Sequence, residues 1–277
     1  MATLYKDFSK DSKDLLTKNF TNGGDWKIEN KAKAAKGDYA VATTSTARGD
    51  VTVEVEGLTR DGAAYGKLSF TPKDLNDVKA TVRAENFMNY RIEAIIAHKG
   101  ATLSDTTIEL NSQTVKPFAN GRVSVHDKLT QRALEVALSV AAVEGVQLGC
   151  GTKYDLKSQT LGWTAGCRLA ARNGIIVTAQ TDQLRSYTAD VIARAALHPK
   201  FQPRVAAAVT LDPQTSAWDG SLALEWGCQV IQGNTAKARL NKKLEWAVSY
   251  IANLNGGWSL ALSIDKSLRT GLTLTRN

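Results

Sequence analysis

Apolar and polar residues alternate along most of this chain, in runs of about ten residues separated by short turns. Residues 51–56, 134–140 and 244–250 show the alternation. A period of two places one class of side chain on each face of a β-sheet. A tilted strand of about 9–11 residues is long enough to cross a bilayer. The pattern therefore predicts an all-β protein whose strands form a transmembrane barrel.

Roughly nineteen strands are predicted after residue 25, joined by short turns and without a domain boundary. Their predicted spans are 25–34, 38–47, 50–59, 63–71, 77–86, 89–98, 102–111, 119–128, 131–141, 144–154, 159–169, 173–181, 185–196, 203–211, 217–227, 234–240, 242–252, 256–265 and 268–276. Alternation is poorest in 25–34 and 102–111. The connections are too short for crossover helices, which favours one antiparallel meander.

The first twenty residues follow a different period. Leu4, Phe8 and Leu15 fall near helical spacing, and lysines and aspartates occupy the positions between them. This predicts an amphipathic helix at 1–20, followed by a hinge at 21–24 and one transmembrane barrel at 25–277. The hinge residues are Gly23 and Gly24, which suit an unrestricted backbone.

The strand pattern also predicts which face is wet. One face collects valines and leucines, and the other collects lysines, arginines and acids. A barrel of this many strands is too wide for side chains to fill, so the charged face is expected to line a water-filled lumen. The predicted pore-lining cations are Lys67, Lys79, Arg83, Arg122, Lys128, Lys153, Arg168, Arg194, Lys237, Arg239 and Lys243.

The composition agrees with a barrel, and it gives the chain a positive net charge. The 277 residues have a mean hydropathy of −0.24 and a net charge of +8. Low hydropathy is expected of a spanning barrel because only alternate residues meet lipid. The excess of basic residues favours anionic partners, which include nucleic acid, acidic lipid and anionic metabolites.

Residues with catalytic or metal-binding chemistry are scattered. His98, His126 and His198 are isolated, and the three cysteines lack metal-ligand spacing. The glycines at 149–151 lack the following helix of a dinucleotide fingerprint, and paired glycines in a strand more often make room for neighbouring side chains. We therefore predict no catalytic residue, no metal site and no cofactor, and we expect a protein that is not an enzyme.

The chain start shows neither a secretory signal nor an Arg-rich transit peptide. The odd number of cysteines argues against a disulfide framework. Both observations favour a compartment that is reached directly from the cytosol.

One segment resembles a known family. Residues 5–10, Tyr-Lys-Asp-Phe-Ser-Lys, followed by Lys-Asp-Leu-Leu-Thr-Lys at 13–18, resemble the start of the mitochondrial porins, the voltage-dependent anion channels of the outer mitochondrial membrane. That family has 19 strands. The resemblance implies that the helix lies against the inner wall, narrows the pore and contributes to gating. Family members contact nucleotides through basic helix residues, which correspond here to Lys10, Lys13 and Lys18.

Two further features bear on this resemblance. Residues 269–274 are similar to the sorting signal of mitochondrial barrel proteins. Many animal porins also carry a lipid-facing acid on the fourth strand, but Leu68 and Phe70 hold that face here. Regulation through an acid at that position is therefore not expected.

The resemblance implies a voltage-gated, weakly anion-selective channel of the outer mitochondrial membrane. ATP, ADP and phosphate would pass through it, lipid would surround it, and nucleic acid is not an expected partner. Whether copies associate into a homo-oligomer is left open. An alternative is the protein-import pore of the same barrel superfamily. Another is a soluble β-rich nucleic-acid-binding protein, which the basic composition motivates although no aromatic stacking motif or basic cluster supports it.

Overall fold

A computed structural model describes residues 3–20, 25–34, 39–59, 62–118, 121–195, 202–228 and 233–276. Its nineteen strands close into one barrel. The strands are β1 Trp26–Lys33, β2 Tyr39–Thr46, β3 Val51–Leu58, β4 Ala64–Thr71, β5 Asp74–Phe87, β6 Tyr90–Lys99, β7 Thr106–Phe118, β8 Gly121–Thr130, β9 Ala133–Val143, β10 Val146–Asp155, β11 Thr160–Ala170, β12 Ile176–Asp182, β13 Ser186–Arg194, β14 Arg204–Asp212, β15 Ala217–Gly227, β16 Thr235–Asn241, β17 Trp246–Asn253, β18 Trp258–Asp265 and β19 Thr270–Arg276. The predicted all-β barrel of about 19 strands is confirmed.

The barrel closes through a parallel seam. Each strand pairs antiparallel with its neighbour in sequence, but Trp26–Asn30 of β1 pairs in parallel with Leu272–Arg276 of β19. In a meander with an odd number of strands, the first and last strands run in the same direction. Odd-numbered strands therefore all begin at one rim, which we call rim A, and end at the opposite rim, rim B.

The N-terminal segment is helical where the sequence predicts a helix, but it is broken. A 3₁₀ turn at Tyr5–Asp7 precedes the α-helix α1, Lys10–Thr17. Ser9 separates them with φ −94° and ψ 12°, outside the helical region. The predicted hinge glycines Gly23 and Gly24 lie outside the described residues.

A repeated turn at rim A fixes several strand boundaries. Four even-numbered strands, β10, β14, β16 and β18, end in Asp155, Asp212, Asn241 and Asp265. The side-chain oxygen of each accepts a hydrogen bond from a backbone N–H two to four residues later. Shortly after each of these residues the chain enters the left-handed region, as at Ser216 with φ 52°. Aspartate and asparagine favour such turns because their side chains imitate a backbone acceptor.

Two predicted boundaries are wrong for this kind of local reason. The strand predicted at 102–111 begins at Thr106, because Thr102 and Asp105 form a capping box around a 3₁₀ turn. The strand predicted at 242–252 begins at Trp246, because Asn241 caps a tight turn that includes Leu244 at φ 56°. Lys243 consequently lies in that turn and not on a strand.

The outer face is apolar. Large aliphatic side chains such as Val55, Leu68, Leu138 and Leu222 are each about 40% exposed and point away from the lumen. They do not pack against one another in a closed core. The described part of the chain contains no helix with both the length and the apolar character needed to span a bilayer. The fold is that of a channel or pore, and its outward strand faces are consistent with an outer-membrane barrel.

Aromatic residues on the outer face gather near the strand ends. Trp26 and Trp246 begin their strands at rim A, and Trp258 begins its strand at rim B. Trp218 is the second residue of β15, and Trp226 is the residue before its end. Two aromatic girdles at the polar boundaries of an apolar band are typical of transmembrane barrels. Trp246 begins β17, so the predicted span 242–252, which placed it inside the strand, was wrong at this end.

One acid faces outward within the apolar band. Asp127 of β8 alternates with inward-facing His126 and Lys128, and its cross-strand partners are Ser112 and Val136. Ser112 Oγ donates a hydrogen bond to Asp127 Oδ2 at 3.0 Å. Within the described strands, no other carboxylate holds an outward position away from a strand end. The alternation of the strand predicted at 119–128 also places residue 127 on this face, so an outward-facing acid could be predicted from the sequence.

Replacing Asp127 by leucine should stabilise the barrel in lipid. The substitution removes a polar group from the lipid-facing surface, where an acid costs about 1–2 kcal/mol. We expect the urea midpoint of unfolding in lipid vesicles to rise. The opposing variant Ser112→Ala leaves the carboxyl without its hydrogen-bond donor and should lower the midpoint. A D127L barrel that unfolds more easily than the wild type would show that this acid is structurally required.

Candidate functional site

The lumen carries α1 along one part of its wall. The buried face of α1 presents Leu15 and Leu16 to Ile192, Ala206 and Ala223, on the inner faces of β13, β14 and β15. The wall residues are small where the helix approaches most closely, because Ala206 and Ala223 are fully buried beneath it. The apolar stripe predicted from the sequence is thus what holds the helix to the sheet.

A buried hydrogen bond adds to this contact. Ser12 Oγ donates to Asp190 Oδ1 at 2.5 Å, and both residues are almost fully buried. Asp190 is near the middle of β13, and its second carboxylate oxygen has no hydrogen-bond partner within the described structure. Hydrogen bonds to charged acceptors are stronger than neutral ones. Asp190 therefore anchors the helix at one position along the wall.

The 3₁₀ turn packs on β10 where two glycines make room for the ring of Tyr5. A Cβ atom added to Gly149 would overlap the ring of Tyr5, and one added to Gly151 would lie 3.4 Å from it. The two glycines of β10 therefore make room for this ring, as paired glycines were predicted to do. Burial raises the pKa of the Tyr5 hydroxyl. Tyr5 also packs edge-to-face on Phe8, with ring centroids 5.3 Å apart.

Wall side chains satisfy backbone carbonyls along the whole segment. Ser139 Oγ donates to the carbonyl of Thr3 at 2.7 Å, and Thr178 Oγ1 donates to that of Phe8 at 3.3 Å. Lys237 Nζ donates to the carbonyl of Lys18 at 3.2 Å. These contacts show which strand positions face inward, and every second residue on either side of them shares that face.

Two of the three predicted helix lysines face the open lumen. Lys10 and Lys13 are exposed on the side of α1 opposite its buried face. Neither makes an ion pair with any described residue. Lys18 is different, because its ammonium group pairs with Asp14 at 2.7 Å. The exposed positive charge of the helix therefore resides chiefly on Lys10 and Lys13, while a nucleotide-binding role for any of the three stays a prediction.

The register places most of the predicted wall cations on the inner face. The inward-facing residues are Lys67, Lys79, Arg83, Arg122, Lys128, Lys153, Arg168, Arg194, Lys237 and Arg239. Lys243 lies in the exposed turn between β16 and β17, beside a cavity of about 750 Å³ at the rim A end of the lumen.

Many of these cations are neutralised by a neighbouring acid. Lys67 pairs with Glu54 at 2.7 Å across β3 and β4. Lys128 pairs with Glu109 and Lys153 with Glu135, each at 2.8 Å. Arg83 pairs with Glu85. Arg204, an inward cation outside the predicted set, pairs with Glu225. Such pairs contribute little net field to the lumen, so the number of lysines and arginines overstates its positive charge.

Two cations are held under the end of the N-terminal segment. Arg239 lies 4.6 Å and Lys237 5.7 Å from the centre of the Phe20 ring. Lys237 is 3% exposed and pairs with Glu225 at 3.5 Å. A cation over an aromatic face is attracted by the ring quadrupole. These two predicted pore-lining residues therefore hold the helix end in place and are less available to solutes than the sequence suggested.

The sequence reasoning missed Asp190 and the Tyr5 seat. Neither stands out by residue type. Asp190, for example, is one of many inward-facing acids on this chain. The signal for Asp190 was a lone acid between Ala189 and Val191 in an otherwise uncharged stretch of strand. The described residues contain no group of three His, Cys, Asp or Glu side chains that could hold a metal ion.

Comparison with known proteins does not extend this picture: no protein-family model matches the chain, and no characterised protein matches it in sequence.

Truncating Leu15 should release the helix from the wall. Leu15 is 2% exposed, and removing a buried leucine side chain costs about 2–5 kcal/mol. We expect trypsin to cleave after Lys10 and Lys13 several-fold faster in Leu15→Ala than in the wild type. Thr17→Ala, at an exposed position of the same helix, should leave the cleavage rate unchanged. Equal rates for Leu15→Ala and the wild type would show that these contacts do not hold the helix.

Adding a methyl group beneath Tyr5 should displace the 3₁₀ turn. Gly149→Ala places a Cβ where the aromatic ring now lies, so the ring must shift while the barrel stays closed. We expect a higher mobility of a spin label at residue 3. Gly66→Ala is the matched control, because an added Cβ there meets no atom within 4 Å. A label that stays immobile in Gly149→Ala would contradict the proposed seat.

Proposed function

We propose that this protein is a voltage-gated, weakly anion-selective diffusion channel of the outer mitochondrial membrane. It passes ATP, ADP, phosphate and other small metabolites and catalyses no reaction. The observation that carries this proposal is the lumen: a closed 19-strand barrel with a charged inner face and a single helix along one part of its wall. The mitochondrial assignment and the nucleotides rest on the resemblance of residues 5–18 to the mitochondrial porins.

Passive diffusion suits the width of this barrel. Strand number sets diameter, and barrels of 16–18 strands already enclose an aqueous channel. The N-terminal segment occupies part of the cross-section, because its contacts with the wall lie on neighbouring strands from β8 to β16. The inner faces of β2 to β5 therefore remain open to solutes.

Weak anion selectivity follows from the charge pairing. Rings of lysine or arginine favour anions in a pore, but most inward cations here are matched by an acid. The exposed, unpaired Lys10 and Lys13 stand at the narrowed level of the lumen. A small excess of positive charge at the narrowest level gives a preference for anions without excluding cations.

Voltage gating is supported by the attachment of the helix. The segment from Thr3 to Phe20 carries both signs of charge and is held by one apolar stripe, one buried hydrogen bond and a few wall-to-carbonyl contacts. A transmembrane field acts on a charged element that can shift against a rigid wall. We expect closure at either polarity because the lumen carries both cations and acids.

Planar-bilayer recording of the purified protein tests this function. We expect stepwise insertion, closure at high voltage of either sign, and a reversal potential that favours chloride over potassium. Ohmic leakage, or a strong preference for potassium, would contradict the proposal.

Charge reversal on the helix should invert the selectivity. In Lys10→Glu/Lys13→Glu we expect the chloride-to-potassium permeability ratio to fall by about twofold or more, since these charges lie at the constriction. The reversal potential in a potassium chloride gradient measures this change. Lys116→Glu is the control, because Lys116 faces outward over the Tyr90 ring at 4.8 Å. An equal shift in both variants would show that bulk charge, not helix charge, sets the selectivity.

A further inference from the structure

The inward-facing charges are segregated along the barrel axis. At rim A, acids occupy the last or nearly last inward position of five strands in the half of the wall from β10 to β18. They are Asp155, Asp182, Asp212, Asp219 and Asp265. Asp265 pairs with Arg269 at 3.0 Å. The other four make no ion pair within the described residues.

The opposite rim carries cations on β8, β11, β13 and β14, which overlap the half of the wall that bears the aspartates. Arg194 ends β13 and Arg204 begins β14, so both stand at rim B. Arg168 is the third residue from the end of β11, and Arg122 is the second residue of β8. Arg168 Nη2 lies 3.9 Å from Asp11 Oδ2 of α1, so the helix neutralises part of its charge. Arg204 is neutralised by Glu225 at 2.9 Å. Arg122 and Arg194 have no acidic partner in the part of the chain that the structure describes.

The remaining inward charges do not cancel this separation. Between the rims most of them form cross-strand pairs, which have little field beyond their own surroundings. Rim A also carries cations, such as Arg132, Lys157 and Arg185, in exposed turns beyond the last inward-facing position. Lys243 and Lys266 line the cavity at this end of the lumen, where Asp219, Glu245 and Asp265 also line it. Water screens charges in the exposed turns, whereas the aspartates face the path of permeating ions.

We propose that this axial charge separation makes the open pore rectify, passing more current when the compartment at rim A is positive. The inference rests on the proposed channel function. With that polarity, cations enter through the aspartates and anions enter through the arginines, so both ions are enriched in the lumen. With the opposite polarity each ion must enter past like charges, and the lumen is depleted. Charged rings select ions in this way at each mouth.

The effect depends on ionic strength. The Debye length is about 10 Å at 0.1 M salt and about 3 Å at 1 M. Charges on the wall therefore influence most of the lumen in dilute salt and only a thin layer in concentrated salt. We expect a current ratio of roughly 1.5 between polarities at about 0.1 M potassium chloride and a ratio near 1 at about 1 M.

Single-channel recording tests the proposal, at voltages below the closing threshold and in symmetric salt. Orientation is assigned by a cysteine introduced at Ser158, on a rim A turn, in a background without the three native cysteines. A membrane-impermeant thiol reagent is then added to one compartment. The larger current should flow when the labelled compartment is positive.

Two sets of variants at rim A separate the effect of inward-facing charges from the effect of charges in the exposed turns. In Asp155→Asn/Asp182→Asn/Asp212→Asn the ratio should fall to about 1 in dilute salt, since asparagine keeps the turn-capping oxygen but not the charge. The matched set Arg132→Gln/Lys157→Gln/Arg185→Gln removes three exposed turn charges at the same rim and should leave the ratio unchanged.

Three outcomes overturn the inference: symmetric current in dilute salt, the opposite sign, or equal effects of the two sets. A conducting but symmetric pore refutes only the rectification, whereas a protein that inserts and does not conduct refutes the channel function as well.

Discussion

Backbone hydrogen bonding in a medium without water is the constraint on which the rest of this structure depends. Within hydrocarbon every N–H and C=O group must find a partner inside the protein, and a sheet achieves this only when it has no open edge. Nineteen strands in one meander leave the first and last strands parallel, so the closure is made by the parallel pairing of β1 with β19. Once the sheet is closed, each strand has one face toward lipid and one toward the lumen. The alternation of residue types follows from that division.

The number of strands, their order and the identity of the wet face could be predicted because each depends on a period of two repeated along the chain. Strand ends could not be placed as well, because they depend on single side chains. Asn241 and Asp105 each close a turn by accepting backbone N–H groups, and in doing so they shorten the adjoining strand. The alternation of residues 244–250 begins inside the turn closed by Asn241, so periodicity alone could not show that β17 starts at Trp246.

The candidate site was predictable as a class of residues and not as a set of contacts. Inward lysines and arginines followed from strand parity, but which of them are neutralised depends on the register between strands. A shift of one residue between β9 and β10 would separate Lys153 from Glu135. Asp190 anchors α1 only because the helix packs on β13 and brings Ser12 to it, 178 positions away in sequence. Contacts of that separation are fixed by closure of the barrel and leave no local pattern.

The position of the helix depends on the size of the side chains on the inner wall. A helix in a wide aqueous lumen gains little from packing unless its apolar stripe finds a wall of small side chains, since large ones would hold it away. Ala206, Ala223, Gly149 and Gly151 provide that wall, while long charged pairs such as Lys67 and Glu54 fill the inner face elsewhere. The wall is thus divided into a smooth part that binds the helix and a charged part that faces the open path. Because opposite charges are matched between neighbouring residues on the charged part, the unmatched charges lie mainly on the helix and at the two rims. The proposed ion conduction depends on these groups.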